Sequence, residues 1–381
     1  MFYLSLYILF FTVAVCNFYS FRKSEIALSN VFYYSSIFLL FLVGAFRFET
    51  GGDWPGYKQM YDAQSGEPLF LGIIYLAHLI GHYQYIFFFS ELIRYAILIY
   101  IVNTLYKKEP QYKMLFILLY YSMFFFYYDM VIVRQTTSAI IFAYGVFKNR
   151  NGTLKTYFSW SILAGLVHYS GLMLFFMYYP LYKVNNKKFT VFNYIIIALY
   201  FAGIDLFGSL LSFVLDFFPK IGIIYKLWAY TQNADLATVR KITGQSLVYL
   251  LSFFAISYVH VFKKREMNTT VYNGVCLFIF FYLGLPAFST ISTRLASFFS
   301  IFILCAIVEV IRFYHRSLIV TGLFVALAFC FNKNIFLEKS AGIAYNPYQF
   351  YFVHELLGRQ STGAERLHII ENQTIKERLS K

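Results

Sequence analysis

Residues 85–106, YIFFFSELIRYAILIYIVNTLY, form an apolar run about as long as the ~20 residues that a helix needs to cross a membrane. The two charged residues of this run, Glu91 and Arg94, stand three positions apart, a spacing at which side chains on one helix form an ion pair. Similar apolar runs recur along the chain and are separated by short polar links. This pattern predicts helices that lie in lipid.

The composition supports the same interpretation. Of the 381 residues, 60% are hydrophobic and 13% are charged, whereas soluble domains carry about 25% charged residues. The sequence lacks the apolar alternation of barrel strands, which leaves helices as the spanning elements. We therefore expect an all-α integral membrane protein, a multi-span helical bundle of about ten spans with additional re-entrant segments.

The predicted spans have the approximate bounds 2–21, 30–46, 85–106, 114–128, 130–147, 189–207, 246–262, 271–288, 294–313 and 318–335. Residues 69–80 are apolar but short, so we interpret them as re-entrant or interfacial. Residues 157–182 are predicted to form a broken hairpin, because a single crossing would place basic links outside. Gly165, His168 and Gly171 lie near the tip of this hairpin.

The net charge of +14 comes mostly from short links between spans, where the positive-inside rule explains it. The basic residues form no stripe, so we expect no nucleic-acid partner. The same rule predicts that the N-terminus and the loops near 47–68 and 208–245 lie on the outer side of the membrane. The apolar stretch 206–218, which overlaps the second loop, is either an interfacial helix or an additional span. Residues 1–336 are thus predicted to form the membrane domain, and residues 337–381 a polar C-terminal tail.

Motifs for cofactors and metals are missing from the sequence. It contains no Walker loop, Rossmann fingerprint, zinc spacing or nucleophile elbow. The four cysteines lie singly within apolar runs, which suits packing. We therefore expect no cofactor and no metal, and we expect any activated substrate to come from the membrane.

A polar stretch interrupts the apolar pattern at residues 47–57, RFETGGDWPGY. Its glycines and proline favour a shaped loop over a continuing helix. Arg47, Glu49 and Asp53 place a base and two acids at a membrane boundary, which favours recognition of a charged ligand. A solvated turn between two spans is the alternative.

Two further arginines lie near the predicted outer ends of spans, Arg134 in VIVRQTTS and Arg294 in STRLA. An arginine within a span costs about 2.5–3.5 kcal/mol on insertion scales, so it needs a partner or a function. With Arg47 they place three guanidinium groups in one leaflet, and the planar fork of arginine suits phosphate. The alternatives are anchoring at the membrane surface and, for Arg134, pairing with Asp129.

His168 is a candidate of a different kind, in AGLVHYSG at the predicted hairpin tip. A lone histidine in an apolar segment is usually a packing residue. However, a broken helix at membrane depth is tolerated where it faces protein or a wet cavity. The break therefore favours a functional histidine.

The ordered set of these motifs resembles the EpsG-like and Wzy-type polymerases of bacterial O-antigen and exopolysaccharide synthesis. The pieces that carry the resemblance span most of the chain: Arg47 through Gly52-Asp53 to Tyr57 and Tyr61, Val133-Arg134-Gln135, Ala164 with His168-Tyr169-Ser170, Arg294-Leu295, and Tyr345-Asn346-Pro347-Tyr348. The chain has Gly51-Gly52 before Asp53, where the group has a Gly-Thr-Asp form.

The resemblance implies a glycosyltransferase of the bacterial plasma membrane that works at the outer face. It would transfer a growing glycan from a polyprenyl-diphosphate carrier to a lipid-linked repeat unit, with membrane lipid around it and a separate chain-length regulator as a partner protein. A base is needed for the acceptor hydroxyl, and cations are needed for the leaving diphosphate. The candidate bases are Asp53, Glu49 and His168; the candidate substrate-binding residues are Arg47, Arg134, Arg294, Tyr57, Tyr345 and Tyr348.

Three other functions are compatible with a chain of this kind. A flippase of lipid-linked oligosaccharides would be expected to have two similar halves, which the sequence does not show. An acyltransferase or ligase of envelope glycans would also use a buried histidine. A scaffolding membrane protein would not need three arginines on one side.

Overall fold

The computed structural model describes residues 1–19, 26–107, 109–149, 152–217, 244–264, 267–314, 317–337 and 340–379. Within these ranges the chain folds into helices joined by loops, and strand-type pairing is limited to an isolated antiparallel bridge between Arg47 and Phe350. The predicted all-α fold class is confirmed for the described residues.

The helices of the N-terminal part follow the apolar runs, since backbone groups in lipid have to be satisfied within their own segment. Residues 1–149 form α1 (Phe2–Tyr19), α2 (Ile26–Ala45), α3 (Trp54–Asp62), α4 (Pro68–Ile80), α5 (Gln84–Leu105), α6 (Pro110–Tyr120), α7 (Phe126–Tyr128) and α8 (Val133–Lys148). A π-helical turn, Tyr121–Phe125, joins α6 to α7.

The remaining helices are shorter on average. Residues 152–217 form α9 (Leu154–Val167), a 3-10 helix (Tyr169–Met177), α10 (Tyr178–Tyr182), α11 (Asn186–Phe201) and α12 (Leu206–Phe217). Residues 244–314 form α13 (Gly244–Ser257), a π turn (Tyr258–Phe262), α14 (Thr269–Gly284), a 3-10 turn (Pro286–Phe288), α15 (Ser289–Ser297) and α16 (Ser300–Phe313). Residues 317–379 form α17 (Leu318–Phe331), α18 (Lys333–Phe336), a 3-10 turn (Ser340–Ala344), α19 (Tyr351–Leu357) and α20 (Gly363–Leu379).

The chain divides into two compact units. The first comprises Met1–Tyr144, Ile162–Tyr169 and Arg316–Lys381, and the second comprises Gly145–Ser161 and Ser170–His315. Within the first unit, α2 packs against α5 and α6, and α4 packs against α5. Within the second, α14 packs against α11, α15 and α16.

Three described helices are long and apolar enough to cross a membrane: Ala27–Ala45, Gln84–Leu105 and Gly244–Phe262. The number rises to five if each of two bent pairs is one span, namely Asn186–Phe201 with Leu206–Phe213 at 87° and Thr269–Gly284 with Pro286–Ser297 at 84°. These helices identify a helical membrane protein. They account for fewer crossings than the sequence predicts.

The predicted span 294–313 is wrong as a continuous helix. The chain breaks at Phe298 and Phe299, so that Arg294 lies on the short helix α15 instead of at the start of a span. Phe298 and Phe299 are both buried. Packing of these two rings takes precedence over helix continuity at this point.

The segment 157–182 forms the predicted hairpin. Helix α9 ends at Val167 and a 3-10 helix begins at Tyr169, so the break falls at His168. The two limbs contact each other: the rings of Phe158 and Phe175 lie 5.2 Å apart, and the Tyr178 hydroxyl donates to the Gly152 carbonyl over 2.6 Å.

The other two ambiguous segments are short helices. Helix α4 has 13 residues, fewer than the ~20 of a spanning helix. A re-entrant or interfacial position of residues 69–80 stays a prediction. Helix α12 follows α11 at the 87° bend. The predicted outer loop 208–245 falls largely on residues 218–243, which lie outside the described residues.

Candidate active site

Two polar side chains from separate segments of the first unit meet at the carboxylate of a third residue, Glu67. Oε2 of Glu67 lies 2.9 Å from Nη1 of Arg134, and Oε1 of Glu67 lies 2.8 Å from Nδ1 of His168. Glu67 directly precedes α4, Arg134 lies in the first turn of α8, and His168 lies at the hairpin break. A base, an acid and a cation are thus held in one cluster.

The local sequence explains why each side chain reaches the cluster. Pro68 opens α4 and keeps the preceding Glu67 extended, at φ −68 and ψ 152. His168 closes α9 with a backbone bond to Ala164 of 3.0 Å, and Ser138 of α8 donates to the same carbonyl over 2.7 Å. The ends of α8 and α9 that carry Arg134 and His168 are therefore tied together.

A buried hydrophobic core of the first unit joins the same segments. It includes Tyr57, Phe70, Phe87, Val133 and Val167, which come from α3, α4, α5, α8 and α9. Between helices in lipid, such packing stabilises the fold through van der Waals contact. The cluster therefore lies on the ends of helices that pack against one another.

The exposure of the three side chains differs in a way that suits a site. The side chain of Glu67 is 6% exposed, that of His168 17% and that of Arg134 31%. The carboxylate is thus buried, while the side chains of His168 and Arg134 are partly exposed. The Arg134 guanidinium also lies 5.9 Å from the centre of the Tyr57 ring and 5.8 Å from that of Phe70.

The charge of Glu67 is stabilised by its neighbours. Burial raises the pKa of this carboxyl, but the hydrogen bond from His168 and the charge of Arg134 outweigh burial and lower the pKa to about 2. The ionised carboxylate can only accept hydrogen bonds, so Nδ1 of His168 carries the hydrogen and donates it. In the neutral ring, Nε2 is then the nitrogen that can take up a proton.

Arg47, predicted to bind diphosphate, is buried, with 1% exposure. Its Nη1 donates to the carbonyl of Thr50 and, over 2.6 Å, to that of Met130, and its guanidinium lies 4.2 Å from the centre of the Phe87 ring. Gly51 passes so close that a Cβ would lie 2.2 Å from the Met130 carbonyl oxygen, and its φ is +91. In this structure Arg47 shapes the loop.

The two acids of the outer loop are placed differently. Asp53 is exposed at the start of α3. Glu49 has a φ of 44, and its carbonyl accepts from Nη2 of Arg366 over 2.9 Å. A Cβ at Gly363 would lie 2.8 Å from that same carbonyl oxygen, so the start of α20 sits directly on the loop.

The three tyrosines predicted to bind substrate lie in the first unit and are engaged in packing. Tyr57 is 4% exposed and its hydroxyl donates to Val131 over 3.3 Å. The Tyr348 hydroxyl donates to the carbonyl of Val43 over 3.0 Å, and burial raises the pKa of both Tyr345 and Tyr348. Arg294 lies in the second unit, on α15.

The alternative pairing of Arg134 with Asp129 is wrong, since Arg134 pairs with Glu67. Asp129 instead accepts from the hydroxyls of Tyr95 and Tyr120 over 2.8 and 2.6 Å and lies 3.5 Å from Arg94. The ion pair predicted between Arg94 and Glu91 is confirmed.

Sequence reasoning missed Glu67, which carries the cluster. The available signal was an acidic residue placed directly before a proline that opens an apolar helix. Among the residues that the structure describes, no group of three or more His, Cys, Asp or Glu side chains is arranged to hold a metal ion.

A protein-family model covers most of the chain. The sequence model of the EpsG family matches residues 30–350, a range that includes all three residues of the cluster. No curated protein and no solved structure matches the chain.

Proposed function

The chain belongs to the EpsG family, and from this premise we propose that it is a membrane-bound polymerase of an exopolysaccharide. The donor is a glycan on a polyprenyl-diphosphate carrier, and the acceptor is a newly delivered lipid-linked repeat unit. The observation that carries the proposal is the joining of His168 and Arg134 by Glu67. Glycosyl transfer from a diphosphate needs a base and a cation side by side.

The reaction uses each group at a stated atom. A hydroxyl at the non-reducing end of the acceptor attacks the anomeric carbon of the donor glycan. The new glycosidic C–O bond forms, the C–O bond to the diphosphate breaks, and the polyprenyl diphosphate leaves with the electron pair. The hydroxyl proton moves to Nε2 of His168.

Glu67 assists the proton acceptor, and Arg134 assists the leaving diphosphate. Glu67 holds the imidazole by Nδ1 and stabilises the imidazolium that forms, which is the role of the acid in a catalytic triad. The accessible guanidinium of Arg134 meets the charge that develops on the diphosphate. Asp53 is the second candidate base, since it is exposed in the glycine-flanked loop, and Glu49 is the third. Tyr345 and Tyr348 remain proposed substrate-binding residues of the first unit, and Arg294 remains one of the second unit.

We further propose the arrangement in the membrane that the sequence predicts. It has about ten spans, an outer N-terminus, and a site that faces the exterior of a bacterial plasma membrane. A separate protein sets the chain length of the product. Arg47 acts by fixing the loop.

Cells that lack the protein test the proposal against a flippase. A polymerase defect is expected to abolish polymer while single lipid-linked repeats accumulate at the outer face. A flippase defect would leave the single repeats inside. Accumulation restricted to the inner leaflet would therefore contradict the proposed function.

The outer placement of residues 47–68 has its own test. In a variant whose exposed Cys16 and Cys330 are replaced by serine, a cysteine at the exposed Ser65 should react with an impermeant thiol reagent in intact cells. A cysteine at the exposed Lys264 should react only after the membrane is permeabilised. The reverse labelling pattern would place the site on the cytoplasmic side.

The ion pairs of Glu67 predict a pH-dependent difference in stability. The folded pKa of about 2 lies below the ordinary 4.5, so the stabilisation is fully present above about pH 4.5 and is lost as the pH falls toward 2. Glu67→Gln should lower the unfolding temperature of the detergent-purified protein above pH 5, and the difference should shrink as the pH falls below it. A difference that persists unchanged at pH 2–3 would show that Glu67 acts through packing alone.

A further inference from the structure

The second unit contains a cavity of about 550 Å³ whose lining is rich in cations and hydrogen-bond donors. The lining includes Lys183, Lys187, Lys264, His260, Asn185 and Asn186. Among the described residues that line the cavity, none is acidic. Its volume lies within the range of about 300–1,000 Å³ that is typical of ligand sites, and its charge selects an anion.

Two helix N-termini border the same cavity. Asn185 caps α11 by accepting from the backbone N–H of Lys187 over 3.0 Å, and Asn268 caps α14, whose first residue Thr269 lines the cavity. Each N-terminus carries a partial positive charge. The helix ends thus add to the field of the three lysines.

The cavity wall is held in place by side chains behind it. Nδ2 of Asn186 lies 2.6 Å from Nε2 of His260, and the His260 ring lies 4.3 Å from that of Tyr272. The Tyr272 hydroxyl in turn lies 2.5 Å from Oγ1 of Thr190. Lys264 adopts a φ of 51, a conformation that non-glycine residues avoid and that occurs at functional sites.

Large aromatic side chains are exposed on the two short segments that supply Tyr182 and Val261 to the lining. Tyr179 is 65% exposed and Phe262 is 64% exposed, and both come from segments that also contribute to the cavity. Exposed rings of this kind suit hydrocarbon chains more than water. A soluble phosphate has no apolar part that could contact these rings.

We propose that this cavity binds a phosphate-bearing anion, and specifically the headgroup of an anionic phospholipid. The lysines and helix ends hold the phosphate, while Tyr179 and Phe262 contact the acyl chains. Basic pockets between membrane helices on the cytoplasmic side are suited to such headgroups. The site is separate from the polymerase proposal and does not depend on it.

The test compares two triple variants with the same change in charge. The cavity variant is Lys183→Gln with Lys187→Gln and Lys264→Gln. The matched control is Lys155→Gln with Lys188→Gln and Lys263→Gln, which are exposed lysines of the same unit outside the lining. Native mass spectrometry of the detergent-purified full chain then measures the affinity for phosphatidylglycerol, phosphatidylcholine and inorganic diphosphate.

The expected result is selective loss in the cavity variant. Each lysine near a phosphate contributes about fivefold, so the affinity for phosphatidylglycerol should fall on the order of 100-fold, while the control stays within a few-fold of the unsubstituted protein. Unchanged unfolding temperatures without lipid would show that both variants fold. Equal weakening in the two variants would overturn the site, and tighter binding of diphosphate than of phosphatidylglycerol would overturn the lipid as its ligand.

Discussion

Replacement of His168 by glutamine is expected to lower the rate of polymer formation by about 10²–10⁴-fold, the range that general acid–base catalysis contributes. Glutamine keeps a polar side chain near Glu67 but cannot take up the acceptor proton. The measurement is the rate at which polymer grows when lipid-linked repeats are the substrate, at matched protein levels. Donor retention by the purified variant should be little changed.

Four further variants test the role of His168 as the base. His368→Gln, at an exposed histidine of α20, should polymerise normally. Glu67→Gln should be impaired, and the double variant with His168→Gln should be no worse than His168→Gln alone, because the two residues act as one unit. If Asp53→Asn is inactive while His168→Gln polymerises at the normal rate, Asp53 is the base.

Replacement of Arg134 by lysine is expected to lower the rate of transfer by about 10²–10³-fold, as for the loss of one donor to a developing charge. Lysine keeps the charge, but it lacks the planar guanidinium that can donate to Glu67 and to the diphosphate at the same time. The measurement is the transfer rate at saturating donor, since the contact strengthens as the diphosphate leaves.

Two other arginines serve as comparisons. Arg359→Lys, at an exposed position, should have no effect on the rate. Arg47→Lys should instead lower the amount of folded protein, because Arg47 is buried and holds two backbone carbonyls. A normal rate in Arg134→Lys would contradict the diphosphate contact and show that Arg134 only anchors the end of the helix.

The sequence was informative wherever the signal is local. The run 85–106 predicts α5, which spans Gln84–Leu105, because its apolar length needs no other part of the chain. The break at His168 was predictable for the same reason, since small residues flank a polar one within an apolar segment. The ion pair of Glu91 and Arg94 follows from helical spacing alone.

Partners from distant parts of the chain were not predictable in this way. Glu67 and His168 are 101 positions apart, and Arg47 and Met130 are 83 positions apart. Nothing in the loop 47–57 indicates that the arginine turns inward to carbonyls while Asp53 stays exposed. The choice depends on packing against Phe87 and on the close approach of Gly51, which only the folded chain defines.

The C-terminal tail is a second case. Its polarity predicts a segment outside the membrane, but it does not predict where the segment docks. Phe48 donates its N–H to the carbonyl of Gln349 over 2.8 Å, and Arg366 reaches Glu49. Both contacts end on a backbone carbonyl, which every residue carries. No residue pattern in the sequence therefore indicates them.

Polymerase activity is tested most directly with the purified full chain in liposomes that contain only polyprenyl-diphosphate-linked repeat units. We expect a ladder of products that grow by whole repeats, release of one polyprenyl diphosphate per bond formed, and loss of both in His168→Gln at an unchanged level of folded protein. A purified wild-type protein that moves the repeats across the bilayer and joins none of them would contradict a polymerase.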